Sequence, residues 1–151
     1  MRIDRDREAA GPIITGFGPR GFRLGEEHAR AVLLTPERAI PWSPPPLPEL
    51  RVAALAELVE SGPEFILLGT GPTLMRPPPE LVRELDAAGL GIEAMDSRAA
   101  ARAWGVLRGE GRRVAAALYP LDKGVRPAAS PDRRTAGPRP RPLPPARGPS
   151  P

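Results

Sequence analysis

Hydrophobic positions change their spacing near the middle of this chain. In residues 13–42 the apolar residues come in short runs, which glycine and charged residues interrupt at 18–21 and again at 25–28. Short runs with frequent turn residues are typical of antiparallel strands joined by tight connections. The pattern therefore predicts an antiparallel meander, which a segment with four prolines, residues 43–48, separates from the rest of the chain.

Helical and strand patterns alternate after these prolines. Residues 49–61 and 79–89 carry apolar residues at helical spacing, and each segment closes with or just before a glycine. Residues 65–68 form a continuous apolar run, which suits a strand covered on both faces, and residues 90–95 and 114–119 are two further predicted strands. With a further helix before the last strand, this order predicts a β-α-β-α-β unit with parallel strands, and hence an α/β fold.

The helix before the last strand begins after Asp96, whose short polar side chain suits an N-cap, and is expected to reach about Arg108. Arg98, Arg102 and Arg108 are expected to point outward. The apolar stripe expected to face the core contains Ala99/Ala100, Ala103 and Val106/Leu107.

Composition divides the chain again at residue 124. Residues 124–151 hold nine of the 23 prolines, six arginines and one aspartate. Such a segment cannot bury enough apolar surface to offset an ordering cost of about 1–2 kcal/mol per residue for the backbone. We expect a flexible N-terminus over residues 1–10, one domain over 11–123 and a disordered Pro/Arg-rich tail over 124–151.

This division changes what the net charge of +4 means. The chain has 22 basic and 18 acidic residues, of which the tail holds six basic and one acidic. Residues 1–123 therefore contain 16 basic and 17 acidic residues. The domain therefore has no basic excess, and any weak contact with nucleic acid or anionic lipid would depend on the tail, which is otherwise a solvated terminus. No specific nucleic-acid partner is expected.

The sequence lacks the features of several protein classes, namely disulfide-linked, thiol-dependent, secreted and membrane-spanning proteins. Without cysteine there is no disulfide framework, thiolate nucleophile or cysteine metal site. The charged start has no apolar signal core, and no run approaches the roughly 20 apolar residues that span a bilayer. We expect a cytoplasmic protein without a transmembrane segment, which would reach a membrane only as a peripheral protein through its partners or its tail.

A candidate ligand site follows two neighbouring strands. Gly69, Thr70 and Gly71 come directly after the first strand of the parallel unit, and Asp96 and Ser97 follow the second. Ligands of open α/β sheets gather at the carboxyl ends of the strands. Backbone N–H groups of a glycine turn beside a helix N-terminus can hold a small anion, so the segment is either such a site or a tight strand-to-loop turn.

Several residues favour the turn over a nucleotide site. A P-loop needs a lysine that reaches the terminal phosphates, and the only lysine, Lys123, follows the last strand. Pro72 and Pro77-Pro78-Pro79 remove N–H donors between the glycines and the next helix. No nucleotide cofactor is expected.

The remaining candidates concern metals, acid–base chemistry and protein interfaces. Glu26, Glu27 and His28 form a solvated turn, and we expect no metal there. Glu93 with Asp96 is a possible carboxylate pair, although Asp96 fits better as a helix cap. No catalytic residue is assigned.

Trp104 is a candidate interface anchor because tryptophan dominates binding hot spots, with core packing as the favoured alternative. Arg98 and Arg102 beside it are candidates for contact with acidic partners, with a solvated helix face as the alternative.

Three stretches of the chain resemble a known family. They are "GFRLGEEHARAVLLTPERAIPW", "ILLGTG" and "GLGIEAMDSRAAARAWGVLRGEGRRVAAALYPL". In this order they resemble a family of small prokaryotic proteins, largely uncharacterised, that is related to assembly factor three of mitochondrial complex I, the NADH:ubiquinone oxidoreductase. The resemblance covers about residues 11–122. It implies a single three-layer α/β domain with a mixed sheet, no established catalytic activity and a protein-binding role near the inner membrane.

The chain departs from this family at two places. Members commonly have threonine at the position of Ser97, and Thr-Tyr-Asn where this chain has Ala103-Trp104-Gly105. Together the residues and the resemblance favour a non-catalytic protein-binding module, an accessory or assembly factor whose partners are respiratory-complex subunits or other assembly factors. The alternative is a small-anion or metabolite-binding protein, possibly an enzyme, that uses the strand-end crevice. The oligomeric state is left open.

Overall fold

A computed structural model describes residues 11–122 of the chain. The expectations of a flexible segment over residues 1–10 and a disordered tail over 124–151 lie outside the described residues, as does Lys123. Residues 11–122 form eight strands and three α-helices, which confirms the α/β class. Two short 3-10 turns, Leu47–Glu49 and Val52–Leu55, precede the first α-helix.

The strands are β1 (Gly16–Gly18), β2 (Gly21–Leu24), β3 (Glu27–Ala29), β4 (Val32–Leu34), β5 (Ala39–Pro41), β6 (Phe65–Gly69), β7 (Gly91–Met95) and β8 (Ala115–Leu118). The helices are α1 (Ala56–Glu60), α2 (Pro79–Ala87) and α3 (Ser97–Gly109). Strands β1, β2 and β3 form one antiparallel sheet, and the other five form a mixed sheet in the order β5-β4-β8-β6-β7.

The predicted parallel unit is confirmed. Strand β6 pairs in parallel with both β7 and β8, and α2 and α3 make the connections between these strands. On its other side β8 pairs antiparallel with β4, and β4 pairs antiparallel with the edge strand β5.

The predicted meander is divided between the two sheets. Residues Val32, Leu33 and Leu34 of β4 are all buried, so this strand needs a neighbour on each face and joins the five-stranded sheet. By contrast, β1 and β3 are largely exposed, and the small sheet lies over the central one with Phe22 completely buried beneath it. The pattern predicted short antiparallel strands correctly, but the burial of β4 decided which strands pair.

Two hydrophobic cores lie on opposite faces of the five-stranded sheet. One core includes Leu55 and Leu58 of the α1 segment and Leu81 and Leu85 of α2. The other includes Trp104 of α3 together with the small sheet. This arrangement is the three-layer domain with a mixed sheet that the resemblance implies.

The helix predicted over residues 49–61 is interrupted. Leu50 lies between the two 3-10 turns with extended backbone, ψ 128°, and is fully buried. The N–H of Val52 donates to Oε1 of Glu84 on α2 at 2.9 Å. A tertiary hydrogen bond thus replaces a helical one, and only Ala56–Glu60 remains α-helical.

The buried side of α3 is rotated relative to the predicted stripe. Trp104 is fully buried and Arg108 is nearly so, whereas Val106, predicted to face the core, is 61% exposed. The indole N–H of Trp104 donates to the carbonyl oxygen of Pro12 at 2.9 Å, and the Arg108 guanidinium stacks 5.9 Å from the ring. A large ring with a partner for its N–H decides which face of an alanine-rich helix turns inward.

Candidate functional site

The structure brings the two strand ends of the candidate ligand site into direct contact. The hydroxyl of Ser97 accepts from the N–H of Gly71 at 2.9 Å and donates to the carbonyl of Tyr119 at 2.8 Å. The N–H of Ser97 donates in turn to the carbonyl of Gly71 at 2.8 Å. Ser97 is completely buried, so one serine joins the ends of β6, β7 and β8.

Glycine is required at position 69 by this close approach. A β-carbon on Gly69 would lie 2.8 Å from the hydroxyl oxygen of Ser97 and 2.9 Å from Cδ2 of Leu118. Gly71 has a φ of +111°, a conformation that other residues rarely adopt. The structure therefore explains why both positions of the turn are occupied by glycine.

The backbone donors of this turn are directed at protein oxygens. The N–H of Thr70 donates to the carbonyl of Met95 at 2.8 Å, and the N–H of Gly71 donates to Ser97 as described. Asp96 accepts from the N–H of Ala99 at 2.8 Å and caps α3 as predicted. The five candidate residues lie together, and their geometry is that of a closed turn in which Thr70 also lines a cavity.

Thr70 shapes the loop that follows the turn. Its hydroxyl donates to the carbonyl of Thr73 at 2.7 Å and accepts from the N–H of Met75 at 2.9 Å. The side chains of Leu74 and Met75 are left 62% and 52% exposed. Two adjacent exposed apolar side chains on a loop that is held in one conformation make this loop a candidate contact surface.

A groove of about 580 Å³ runs between this loop and the proline segment. It is named here the proline groove, and it is lined by Leu47, Pro48, Thr70, Pro72, Thr73, Met75, Arg76, Pro77, Pro78, Pro79 and Glu80. Proline has no backbone N–H and little conformational freedom, so these walls are rigid and poor in donors. Their chemistry suits an apolar occupant better than an anion.

Contacts behind the proline groove hold its walls in place. Arg51 pairs with Glu84 of α2 at 2.9 Å, and the same carboxylate accepts from the N–H of Val52. The hydrogen bond from Arg51, with that from Val52, lowers the pKa of the Glu84 carboxyl. On the other side, the hydroxyl of Tyr119 donates to the carbonyl of Pro45 at 2.7 Å. Burial raises the pKa of this phenol, which stays protonated and keeps its donor role.

The residues of the proline groove other than Thr70 were missed by the sequence interpretation. In the sequence, Pro72 and Pro77-Pro78-Pro79 argue against a phosphate site but do not by themselves indicate a groove. The available signal was Leu74-Met75, two large apolar residues between prolines, where neither a helix nor a central strand can bury them. Such residues are expected either on a surface or in an interface.

The predicted interface residues lie on the opposite layer. Trp104 belongs to the core, which is the favoured alternative, and its ring is unavailable at the surface of this structure. Arg98 and Arg102 are exposed on α3. The guanidinium of Arg98 lies 5.2 Å from the centre of the Phe17 ring, and Arg102 donates to the carbonyl of Arg98 at 3.3 Å.

Within residues 11–122, no group of three or more histidine, cysteine, aspartate or glutamate side chains is arranged to hold a metal ion. His28 lies exposed in β3. No helix within these residues has the length and apolarity that a bilayer crossing requires.

The sequence model of a family described as proteins of unknown function (DUF498/DUF598) matches residues 14–119. An uncharacterized protein of Rhodobacter capsulatus is 40% identical over 114 residues, which are 74% of this chain and 87% of that protein. The NADH dehydrogenase [ubiquinone] 1 alpha subcomplex assembly factor 3 of Danio rerio is 31% identical over 129 residues, or 83% of this chain and 74% of that protein. These matches confirm the resemblance.

Solved structures match the fold as well. A crystal structure of a protein from Bordetella parapertussis superposes with a TM-score of 0.66 at 34% identity. The match covers 72% of this chain and 95% of the Bordetella chain. A Mth938-like domain of Bordetella pertussis, solved by NMR, has a TM-score of 0.65 at 28% identity. This match covers 81% of this chain and 93% of that domain's chain.

Proposed function

Because this chain belongs to the family of proteins of unknown function DUF498/DUF598, we propose that it is a non-catalytic protein-binding module, an accessory or assembly factor for a respiratory membrane complex. The similarity to an assembly factor of NADH dehydrogenase supports this role. Its partners would be subunits or other assembly factors of that complex. It would reach the inner membrane through these partners as a peripheral protein.

The proline groove is the observation that carries the proposal. Leu74 and Met75 present large apolar surface beside rigid proline walls, and the hydroxyl of Thr70 holds their loop in one shape. A preformed apolar groove binds with a small ordering cost, because little of it has to be immobilised on association. We assign it an apolar segment of a respiratory-complex subunit as occupant, which would contact Met75 in the lining of the groove and Leu74 beside it on the same loop.

Arg98 and Arg102 supply a second, electrostatic contact in this proposal. Both guanidinium groups lie on the exposed side of α3, in the layer opposite the proline groove. Charges that lie away from the groove act chiefly on the rate of association and on selectivity, by steering partners of opposite charge. They would favour partners with acidic surfaces without carrying the affinity.

Affinity capture from the native host with the full chain tests the proposal, using Leu74→Asp and the matched control Val106→Asp. Leu74 and Val106 are 62% and 61% exposed, on opposite layers. We expect respiratory-complex subunits with the unmodified chain and with Val106→Asp, and about tenfold less with Leu74→Asp, because an unpaired carboxylate is costly to bury. Equal recovery with all three proteins would contradict a contact through the loop of Leu74 and Met75, and recovery of no such subunit would contradict the role.

The alternative function is the binding of a small anion or metabolite at the strand ends. The volume of the proline groove lies within the range of small-molecule pockets, and Thr70 joins it to the turn formed with Gly69, Gly71, Asp96 and Ser97. Thermal unfolding with phosphate, sulfate and short dicarboxylates tests it. A ligand at 100 times its Kd would add about 2.7 kcal/mol to the free energy of unfolding. No shift with any of these anions would contradict an anion site.

A further inference from the structure

Strand β7 is an open edge of the five-stranded sheet. Within residues 11–122 it pairs with β6 alone. The opposite edge, β5, is only three residues long and ends in Pro41, which offers no N–H donor. Strand β7 has five residues and no proline, so one edge of the sheet is protected and the other is not.

The hydrogen bonds of β7 show which of its backbone groups face outward. The carbonyl of Met95 accepts from the N–H of Thr70, which continues from β6, so the backbone of Met95 faces β6. Backbone direction alternates along a strand, and the N–H and C=O groups of Ile92 and Ala94 therefore point away from the sheet. These four groups have no hydrogen-bond partner among the interactions of residues 11–122.

Glu93 stands at the centre of this edge with an exposed side chain. An antiparallel strand added to β7 would form its hydrogen-bonded pairs at Ile92 and Ala94. Glu93 would then lie in a non-hydrogen-bonded pair, in which the opposed Cα atoms are only about 4.5 Å apart. A charged side chain opposite Glu93 would therefore interact strongly with the Glu93 carboxylate.

This position discriminates between occupants. Symmetric pairing of two copies of β7 about its central residue would place Glu93 opposite Glu93, and like charges directly opposite destabilise a sheet. A lysine or arginine opposite Glu93 stabilises it. The side chains of Ile92 and Ala94 lie on the other face, where Ile92 packs against a hydrophobic core, so apolar residues suit the flanking positions.

We propose that β7 is a docking edge for an extended, antiparallel segment of another protein in which lysine or arginine stands between two apolar residues. The inference goes beyond the proposed function, since it rests on the sheet edge and not on the proline groove. It would stand if the groove proposal failed.

Titration of the full chain, labelled with ¹⁵N, with millimolar acetylated peptides tests this proposal. The probes are Thr-Val-Lys-Val-Thr, the same peptide with glutamate at its centre, and the lysine peptide with N-methylated valines. We expect the lysine peptide to shift the amide resonances of Ile92 and Ala94 and to bind about two- to fivefold more tightly than the glutamate peptide. N-methylation should abolish the shifts, because it removes the donors.

The charge-reversed protein Glu93→Lys supplies the second arm. Its side chain is exposed, so the fold is retained and can be verified from the unchanged resonances of the core. The preference between the lysine and glutamate peptides should reverse. The proposal is overturned if no peptide shifts the β7 amides, or if Glu93→Lys leaves the order of affinities unchanged. The capture experiment with Leu74→Asp is a separate test of the proposed function.

Discussion

Gly69 decides how closely the strand ends of this domain approach. The absence of a side chain allows the buried hydroxyl of Ser97 to bridge Gly71 and Tyr119, which lie on neighbouring strand ends. A methyl group at position 69 would overlap both that hydroxyl and Leu118. The glycine that resembles a phosphate-binding signal in the sequence therefore serves the packing of strand against helix.

Gly69→Ala is expected to lower the free energy of unfolding by about 1–3 kcal/mol, the usual cost of overpacking a filled site. Gly105→Ala is the matched control, since nothing lies within 4 Å of a β-carbon at this helical position. The control should raise stability by about 0.5–1 kcal/mol, because alanine is the better helix former. Urea unfolding of the full chain measures both. Equal effects of the two changes would contradict the steric account.

The carboxylate of Glu84 joins elements that local sequence does not join. It lies on α2 and holds both the guanidinium of Arg51 and the N–H of Val52, at the point where the expected helix of residues 49–61 is interrupted. Of the apolar residues at helical spacing in this segment, Leu50, Leu55 and Leu58 are fully buried. A partner 32 residues away, unknown to any local pattern, decided that the helix begins later.

Glu84→Gln is expected to lower stability at pH 7, and the difference from the unmodified chain should disappear in acid. The folded-state pKa of Glu84 is lowered by its bonds to Arg51 and Val52, so ionised Glu84 stabilises the fold above the usual glutamate pKa of 4.5. That contribution is lost as the pH falls through the lowered pKa of Glu84. Urea unfolding from pH 7 into this acid range measures it.

Glu57→Gln is the control for this experiment, because Glu57 is exposed on α1 and makes no ion pair within residues 11–122. Its effect should be small throughout. A difference between Glu84→Gln and the unmodified chain that stayed constant down to acid pH would show that the amide change acts through packing and not through the ion pair.

At the scale of the whole molecule, Trp104 of α3 joins the small sheet to one face of the central sheet. Its ring lies in the same core as Phe22 of the small sheet and Leu67 and Leu118 of the central sheet. The bond from its indole N–H to Pro12 fastens the segment that leads into β1. Phe22 is the one large side chain of β1, β2 and β3 that is fully buried. The attachment of the small sheet therefore depends heavily on the contact with Trp104.

Trp104→Ala is expected to destabilise the domain by about 3–5 kcal/mol, the range for deleting a buried aromatic side chain. Amide hydrogens of β2 and β3 should exchange faster than those of β6 and β8, because the small sheet loses its main contact. Trp104→Phe keeps most of the ring and should show a smaller loss of stability. A uniform increase in exchange across all strands would contradict the view that this layer is attached separately.

At the scale of the whole molecule, the surfaces proposed for binding lie in separate places. The proline groove is formed by the loop after β6 and the segment before α1, and the open edge is β7. Substitutions at Leu74 and at Glu93 therefore test different contacts, and the two should be independent in the double variant.

The amino-acid sequence by itself determined the alternation of helices and strands in the second half, the cap at Asp96 and the meeting of Gly71 with Ser97. These features follow from local periodicity and from the rule that parallel strands end at one edge. Fold class was predictable for the same reason, since strands that alternate with helices at this spacing predict a parallel sheet.

Only the tertiary structure decided the division of the N-terminal strands between two sheets, the inward turn of Trp104 and Arg108, and the proline groove. Each depends on which surfaces are already covered by distant parts of the chain. No local pattern contains the contacts that decide these features. They are the burial of β4 on both faces, the hydrogen bond from the indole of Trp104 to the carbonyl of Pro12, and the hydrogen bond from the N–H of Met75 to the hydroxyl of Thr70. Local spacing can identify an apolar residue, but its burial depends on what packs against it.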